Sequence, residues 1–192
     1  MEFNQFLQKI RTLTEEIFIP NEHLLEENKD VPESIMDEIK NSGLFAISIP
    51  VEYGGLDYNM EQQVLLTFEF TKASAVYRSK FSTTIGLCSQ ALLDFGTHKQ
   101  KEMYLPGMAE GEIIGSFALT EPEAGSDAAS IKTIAVKKND YYILNGTKKF
   151  ITNAPNADLF LVMARTDPKA KGSKGISSFL VDAKNEGVEV GK

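Results

Sequence analysis

The spacing of the hydrophobic residues changes once along the chain, at Ile113, and this change limits the fold more than any other feature. Up to that point apolar residues recur every three or four positions, which is the spacing of a helical face, as in the series Phe3, Phe6, Leu7, Ile10, Leu13 and Ile17. From Ile113 onward apolar and polar residues alternate, which is the spacing of β-strands. We therefore predict an α+β protein with an all-α helical domain at residues 1–112 and a mainly antiparallel β-barrel or sandwich domain at residues 113–192.

Capping residues and prolines predict where the helices begin and end. Two helices carry a capping-box pattern, in which an N-cap side chain is followed three positions later by glutamine: Asn59 with Gln62, and Thr97 with Gln100. Pro20 and Pro106 are expected to end the first and last helices.

Five stretches of the second half are predicted strands: "IIGSFALT", "SIKTIAVKK", "YYILNGTKKFIT", "LFLVMAR" and "GISSFLVD". The dipeptide Asn145-Gly146 predicts a hairpin turn, and residues 138–140 predict a second reversal. The stretch "LFLVMAR" is apolar throughout, which indicates a strand covered on both faces.

The charge balance excludes several classes of protein. With 20 basic and 27 acidic residues the formal net charge is −7, which argues against a nucleic-acid-binding protein. No apolar run approaches the roughly 20 residues of a membrane span, and the N-terminus has neither a secretory signal nor a transit peptide. We therefore predict a cytoplasmic protein without stable membrane insertion.

Common motifs for cofactors and catalysis are missing from the sequence. There is no G-x-G-x-x-G, no G-x-x-x-x-G-K-[ST] and no G-x-S-x-G pattern. A single cysteine, Cys88, gives no disulfide framework. No metal site is predicted, because Glu121, Glu123 and Asp127 are spaced too openly and no histidine joins them.

The stretch "FALTEPEAGSDAAS" (117–130) is the best candidate for a ligand site. Glycine can take backbone conformations closed to other residues and lets a ligand approach closely, so we expect successive amides around Gly125 and the Ser126 hydroxyl to form a nest for a phosphate. The strand end before it can present backbone groups to the polar edge of a flat heterocycle. Phe150 and Thr152, in "KKFITNA", can contact such a ring. On the residues alone, a polar turn between two strands remains the alternative.

Four stretches in order resemble the acyl-CoA dehydrogenase family: "IPVEYGGL" (49–56), "FGTHKQKEMYLP" (95–106), "GSFALTEPEAGSDAAS" (115–130) and "LNGTKKFITNA" (144–154). The resemblance spans nearly the whole chain and covers the N-terminal helical and middle β portions of the family. It implies FAD as the cofactor and an acyl-CoA thioester as the substrate.

The resemblance also implies which residues contact the cofactor. The flavin and its diphosphate would be lined by Phe117, Ala118, Leu119, Thr120, Gly125 and Ser126, and the reactive part of the ring by Phe150, Ile151 and Thr152. Ser126 matches a position that also touches the substrate. Many members have tryptophan at the position of Phe150, so the phenylalanine keeps a ring contact but lacks the indole N–H.

The family removes the α-proton of the thioester to a general base while hydride leaves the β-carbon for the flavin. That base is a glutamate of a C-terminal helical domain, and no catalytic residue is therefore expected among these 192 residues. Glu121 and Glu123 are expected to have structural or surface roles. The sequence resembles the front half of a longer enzyme, as from a shortened protein, a split gene or an interrupted reading frame.

The resemblance implies electron transfer flavoprotein as the electron acceptor, a role in fatty acid metabolism, and a homo-oligomer when the protein is complete. Two alternatives stay open. One is a non-catalytic flavin- or CoA-binding subunit, or a remnant, that pairs with a separate chain. The other is a flavin oxidase or monooxygenase with the same fold.

Overall fold

The computed structural model describes residues 2–191, which divide into two compact units. The first unit runs through Ile114 and is helical, and the second begins at Gly115 and is built on a β-sheet. The predicted α+β fold class, with helices followed by a sheet, is confirmed. Within residues 2–191 no helix is long and apolar enough to cross a membrane.

Helices make up most of the first unit. They are α1 (Phe3–Leu13), α2 (His23–Asn28), α3 (Glu33–Ser42), α4 (Met60–Phe70), α5 (Ala75–Thr83), α6 (Ser89–Phe95) and α7 (His98–Glu110). Short π-helical segments, Thr14–Phe18 and Thr84–Cys88, follow α1 and α5. Both predicted capping boxes are present, at Asn59 with Gln62 and at Thr97 with Gln100.

Aromatic side chains form much of the helical core. Phe18 stacks on Tyr77 with ring centroids 4.8 Å apart, and the Tyr77 hydroxyl donates to the Phe18 carbonyl oxygen at 3.1 Å. Both rings are almost fully buried, and burying a side chain of this size contributes about 2 kcal/mol. The apolar faces of α1, α3, α4 and α5 meet in this core.

The prediction at Pro106 is wrong, whereas α1 and its π-helical extension do end at Phe18, just before Pro20. Pro20 itself lies in a 3₁₀ turn, Ile19–Asn21, that leads into α2. Pro106 lies inside α7, which continues to Glu110 and ends where Gly111 adopts a left-handed conformation with φ 73°. The helix passes through Pro106 because Leu105 and Met108, on either side, are fully buried and hold it in place.

The second unit contains a five-stranded mixed sheet. Its strands are β1 (Gly115–Ala118), β2 (Ile134–Lys138), β3 (Tyr141–Asn145), β4 (Leu159–Arg165) and β5 (Ile176–Asp182). Strand β4 is central: it pairs in parallel with β1, antiparallel with β5, and through one parallel bridge with β2. Strand β3 extends the sheet from β2. The sheet does not close, which corrects the barrel form of the prediction.

The hairpin between β2 and β3 turns at residues 139–140. Asn139 has φ 54°, the left-handed conformation that such a turn requires, so the reversal predicted there is confirmed. The hairpin turn predicted at Asn145-Gly146 is wrong, because Asn145 is the last residue of β3 and pairs with Ile134. Gly146 serves packing instead: a Cβ atom there would lie 2.3 Å from Thr133 Oγ1.

Candidate functional site

The stretch that follows β1 folds into a tight turn. Glu121 and Ala124 exchange two backbone hydrogen bonds, of 2.9 and 3.2 Å. Leading into this turn, Ala118 is buried, whereas Phe117, Leu119 and Thr120 are partly exposed. The turn is therefore fixed by its own backbone, with Gly125 and Ser126 directly after it.

Gly125 and Ser126 lie at the surface with their backbone amides free. Both residues are exposed, and neither N–H group has a hydrogen-bond partner among residues 2–191. Contrary to the expectation from the sequence, Gly125 does not have a positive φ, so the turn does not require glycine. A Cβ atom at Gly125 would meet nothing within 4 Å, which leaves open space where a ligand can approach the backbone.

The second predicted stretch lies beside the first. The Lys149 N–H donates to the Thr120 carbonyl oxygen at 2.8 Å, and the Ser116 hydroxyl donates to the Thr152 carbonyl oxygen at 2.8 Å. These two bonds join segments that are about 30 residues apart in the sequence. The structure therefore places the end of β1 and Thr120 next to residues 149–152.

Phe150 is the most unusual residue of the second stretch. Its side chain is 83% exposed, and its backbone is left-handed with φ 58°. The Lys149 ammonium lies 4.7 Å from the centre of its ring. Bulky residues rarely adopt this conformation, and strained residues of this kind concentrate at functional sites. Ile151 beside it is partly buried, and Thr152 is exposed.

A buried ion pair beneath these segments was not predicted from the sequence. Lys148 Nζ lies 2.9 Å from Glu121 Oε1 and donates at 3.0 Å to the Leu119 carbonyl oxygen. The Glu121 carboxylate also accepts the N–H groups of Lys132 at 2.6 Å and Thr133 at 2.9 Å. Burial alone would raise the pKa of Glu121, but the hydrogen bonds from Thr133, Lys132 and Lys148 lower it to about 2.

The other carboxylates of the turn are engaged at the surface. Glu123 forms an exposed ion pair with Lys132, and Asp127 accepts a hydrogen bond from the Ser130 hydroxyl. Cys88 is buried, and burial raises the pKa of its thiol to about 12. No group of three His, Cys, Asp or Glu side chains in the described part of the chain is placed to hold a metal ion.

The donor set fits a flat cofactor that carries phosphate groups. Two free amides and the Ser126 hydroxyl suit phosphate oxygens, and the exposed Phe150 ring suits a planar heterocycle. Fold and candidate site together describe an α+β protein that exposes these donors on the surface of its second unit. The chain belongs to the acyl-CoA dehydrogenase family: the family's N-terminal domain model matches residues 1–112, and its middle domain model matches residues 116–192.

Two curated relatives illustrate the range of the similarity. The chain is 41% identical over 192 residues to a 3-(aryl)acrylate reductase of Clostridium sporogenes, a match that covers 100% of this chain and 51% of the relative. It is 43% identical over 168 residues to the CarC subunit of the caffeyl-CoA reductase-Etf complex of Acetobacterium woodii, covering 88% and 44%. The chain thus spans about half the length of the curated relatives it matches.

Solved structures share the fold closely. Butyryl-CoA dehydrogenase from Megasphaera elsdenii aligns with a TM-score of 0.89 at 34% identity, covering 96% of this chain and 49% of that one. A glutaryl-CoA dehydrogenase from Mycobacterium smegmatis, solved in complex with FADH2, aligns with a TM-score of 0.86 at 31% identity, covering 96% and 46%.

Proposed function

We propose that this chain carries the flavin-binding part of an FAD-dependent acyl-CoA dehydrogenase, an oxidoreductase of CH–CH groups. One observation carries the proposal: the hydrogen bond from the Lys149 N–H to the Thr120 carbonyl oxygen joins the two stretches to which the family resemblance assigns the flavin contacts. Family membership supports FAD as the ligand of that site. Residues 1–112 would form the N-terminal helical domain and residues 113–192 the middle β domain.

Successive stretches of the chain would contact different parts of the cofactor. Phe117, Ala118, Leu119 and Thr120 would line the edge of the flavin, the Gly125 and Ser126 amides would bind its diphosphate, and Phe150, Ile151 and Thr152 would flank the reactive part of the ring. The carbonyls of Leu119 and Thr120 are already bonded to Lys148 and Lys149, so they act here as fixed parts of the site. Ser126 would also touch the acyl-CoA substrate. Bound FAD would supply the acceptor for hydride from the β-carbon.

The general base is expected outside this site, in the C-terminal helical domain that the family resemblance implies. A base works best when its pKa lies near the working pH. Glu121 is a poor candidate, because its carboxylate is buried, bonded to three residues and has a pKa of about 2. We therefore expect no dehydrogenation by the 192-residue chain alone. Turnover of an acyl-CoA by that chain would show that the base has been misplaced.

A second candidate function is the reverse reaction, reduction of an α,β-unsaturated substrate. The observation that favours it is the similarity, at 41% and 43% identity, to two proteins named as reductases of acrylate-type compounds. The same residues would hold the flavin in either direction. The two functions differ in which substrate exchanges hydride with it.

The test is anaerobic titration of the complete, FAD-loaded protein, followed by visible absorption. Loss of flavin absorption on addition of a saturated acyl-CoA supports the dehydrogenase. Recovery of absorption when a pre-reduced flavin meets an enoyl-CoA or aryl acrylate supports the reductase. A flavin that responds to no member of either panel would rule out both functions.

We further propose electron transfer flavoprotein as the redox partner, which is supported by the similarity to a subunit of a complex that contains one. The expected measurement is reduction of purified electron transfer flavoprotein by the substrate-reduced enzyme. Absence of electron transfer, with normal bleaching of the enzyme's own flavin, would contradict this partner alone. The roles as a cytoplasmic homo-oligomer and in fatty acid metabolism remain predictions.

A further inference from the structure

The ion pair between Glu121 and Lys148 connects three separate stretches of the second unit. Lys148 brings in the segment before Phe150, Glu121 belongs to the turn after β1, and the carboxylate accepts the N–H groups of Lys132 and Thr133 just before β2. Both side chains are nearly covered, with 11% of Lys148 and 6% of Glu121 exposed. One pair of charges therefore sits where all three stretches meet.

A buried ion pair does not by itself indicate that the protein is more stable. Removing two charges from water is costly, and buried pairs often contribute little net free energy compared with apolar side chains of the same size. The hydrogen bonds of this pair, however, go to backbone groups beside the candidate site. Lys148 donates to the Leu119 carbonyl oxygen, directly before Thr120, while the Glu121 carboxylate, on the residue that opens the turn, accepts the N–H groups of Lys132 and Thr133.

The strained backbone of Phe150 requires such support. A left-handed bulky residue persists only where its surroundings hold it there. The two residues before Phe150 are both tied to the first stretch, Lys148 through its ammonium group and Lys149 through its N–H group. The hydrogen bonds of Lys148 therefore lie two residues from Phe150, whose left-handed backbone they would help to maintain.

We propose that Glu121 and Lys148 are positioning residues of the flavin site, which hold the Thr120 edge, the Gly125 amides and the Phe150 ring in one arrangement before the cofactor binds. This inference rests on the proposed function. The pair would orient the groups that bind the cofactor; it would not take part in catalysis, and it would do more than stabilise the fold.

The first experiment needs no flavin and uses the 192-residue chain. Amide hydrogen exchange is measured in Glu121→Gln and Lys148→Met, with Glu123→Gln as the matched control from the exposed ion pair of the same turn. We expect the Lys149 amide to exchange about tenfold faster or more in the first two variants and unchanged in the control. Unchanged exchange at Lys149 in Lys148→Met would overturn the inference.

The second experiment titrates FAD into the wild type and the same three variants and follows the quenching of flavin fluorescence. We expect the dissociation constant to rise about tenfold or more in Glu121→Gln and Lys148→Met, and less than about twofold in Glu123→Gln. The bound flavin of the first two variants should also have a shifted reduction potential. A role in stability alone would lower Tm and leave affinity and potential of the folded variant unchanged, which would contradict the proposal.

Two further variants guard against loss of folding. Lys148→Arg keeps the charge and should recover most of the affinity, and the double variant Glu121→Gln with Lys148→Met removes both charges without leaving either one unpaired. If the double variant is stable and binds FAD like the wild type, the inference is wrong. If the wild-type chain binds no FAD while its exchange pattern follows the prediction, the proposed function fails and the structural tie stands.

Discussion

At the scale of single residues, Glu69 shows how this chain uses buried charge in its helical unit. Its carboxylate accepts two hydrogen bonds from the Arg11 guanidinium, at 2.7 and 3.1 Å, and one from Lys72 at 2.6 Å. Only 11% of its side chain is exposed. The hydrogen bonds from Arg11 and then Lys72 outweigh burial and lower its pKa from 4.5 to about 2. One carboxylate thereby joins α1 to α4.

This pKa sets a pH window for stability. A carboxyl group whose pKa is lowered by folding stabilises the protein above its unfolded pKa, and this contribution is lost as the pH falls toward the folded pKa. We therefore expect Tm of the wild type to fall between pH 4.5 and about 2, and to fall less in Glu69→Gln. At pH 7 the variant should be less stable by about 2 kcal/mol, as measured by urea unfolding. Parallel pH profiles for the two proteins would contradict this assignment.

We expect replacement of Phe150 by glycine to have opposite effects on protein stability and on FAD binding. Phe150→Gly should raise the free energy of unfolding by about 1 kcal/mol, because glycine adopts a positive φ without strain, and should weaken FAD binding because the ring is lost. Phe150→Ala is the control, since it loses the ring but keeps the strain. Chemical denaturation and FAD titration of both variants measure the two effects. A destabilised glycine variant would show that the left-handed backbone is not strained.

At the scale of elements, the segment between α3 and α4 contains two adjacent glycines, Gly54 and Gly55, which are required for different reasons. Gly54 has φ 83° and open space around it, whereas a Cβ atom at Gly55 would lie 1.8 Å from the Ile49 carbonyl oxygen. We expect Gly54→Ala to cost about 1 kcal/mol, and Gly55→Ala about 3 kcal/mol or more, because backbone must move. Gly86→Ala, in a helical segment with open space and no positive φ, is the control and should lose no stability. Equal Tm values for the first two variants would contradict the loop geometry.

Elements whose signals are local were predicted correctly from the sequence, whereas those that depend on distant contacts were not. The capping boxes at Asn59 and Thr97 were predictable because both partners lie within four residues of each other. Pro106 was misinterpreted because the packing that carries α7 past it is not a local feature. Gly146 has the local signature of a hairpin turn, yet its reason is a close approach to Thr133, thirteen positions earlier.

At the scale of the whole molecule, the change of hydrophobic period predicted the order of helices and sheet, because burial of one face is a repeating signal. The separate stretches of the candidate site were predictable from the sequence, but the contacts between them were not. The hydrogen bonds that join Thr120 to Lys149, and Leu119 to Lys148, depend on the parallel pairing of β1 and β4, which no local pattern reports. Lys148 escaped prediction for the same reason, since a lysine is expected at the surface until its partner is known.

The most direct test of the account is an FAD titration of the wild-type chain and Gly125→Val, with circular dichroism and Tm measured on both. A Cβ atom at Gly125 meets nothing within 4 Å, so the variant should fold like the wild type. We expect the wild type to quench flavin fluorescence and the variant to lose at least about tenfold in affinity, because valine covers the amides that would bind the diphosphate. Equal affinity of the two folded proteins for FAD would contradict the site.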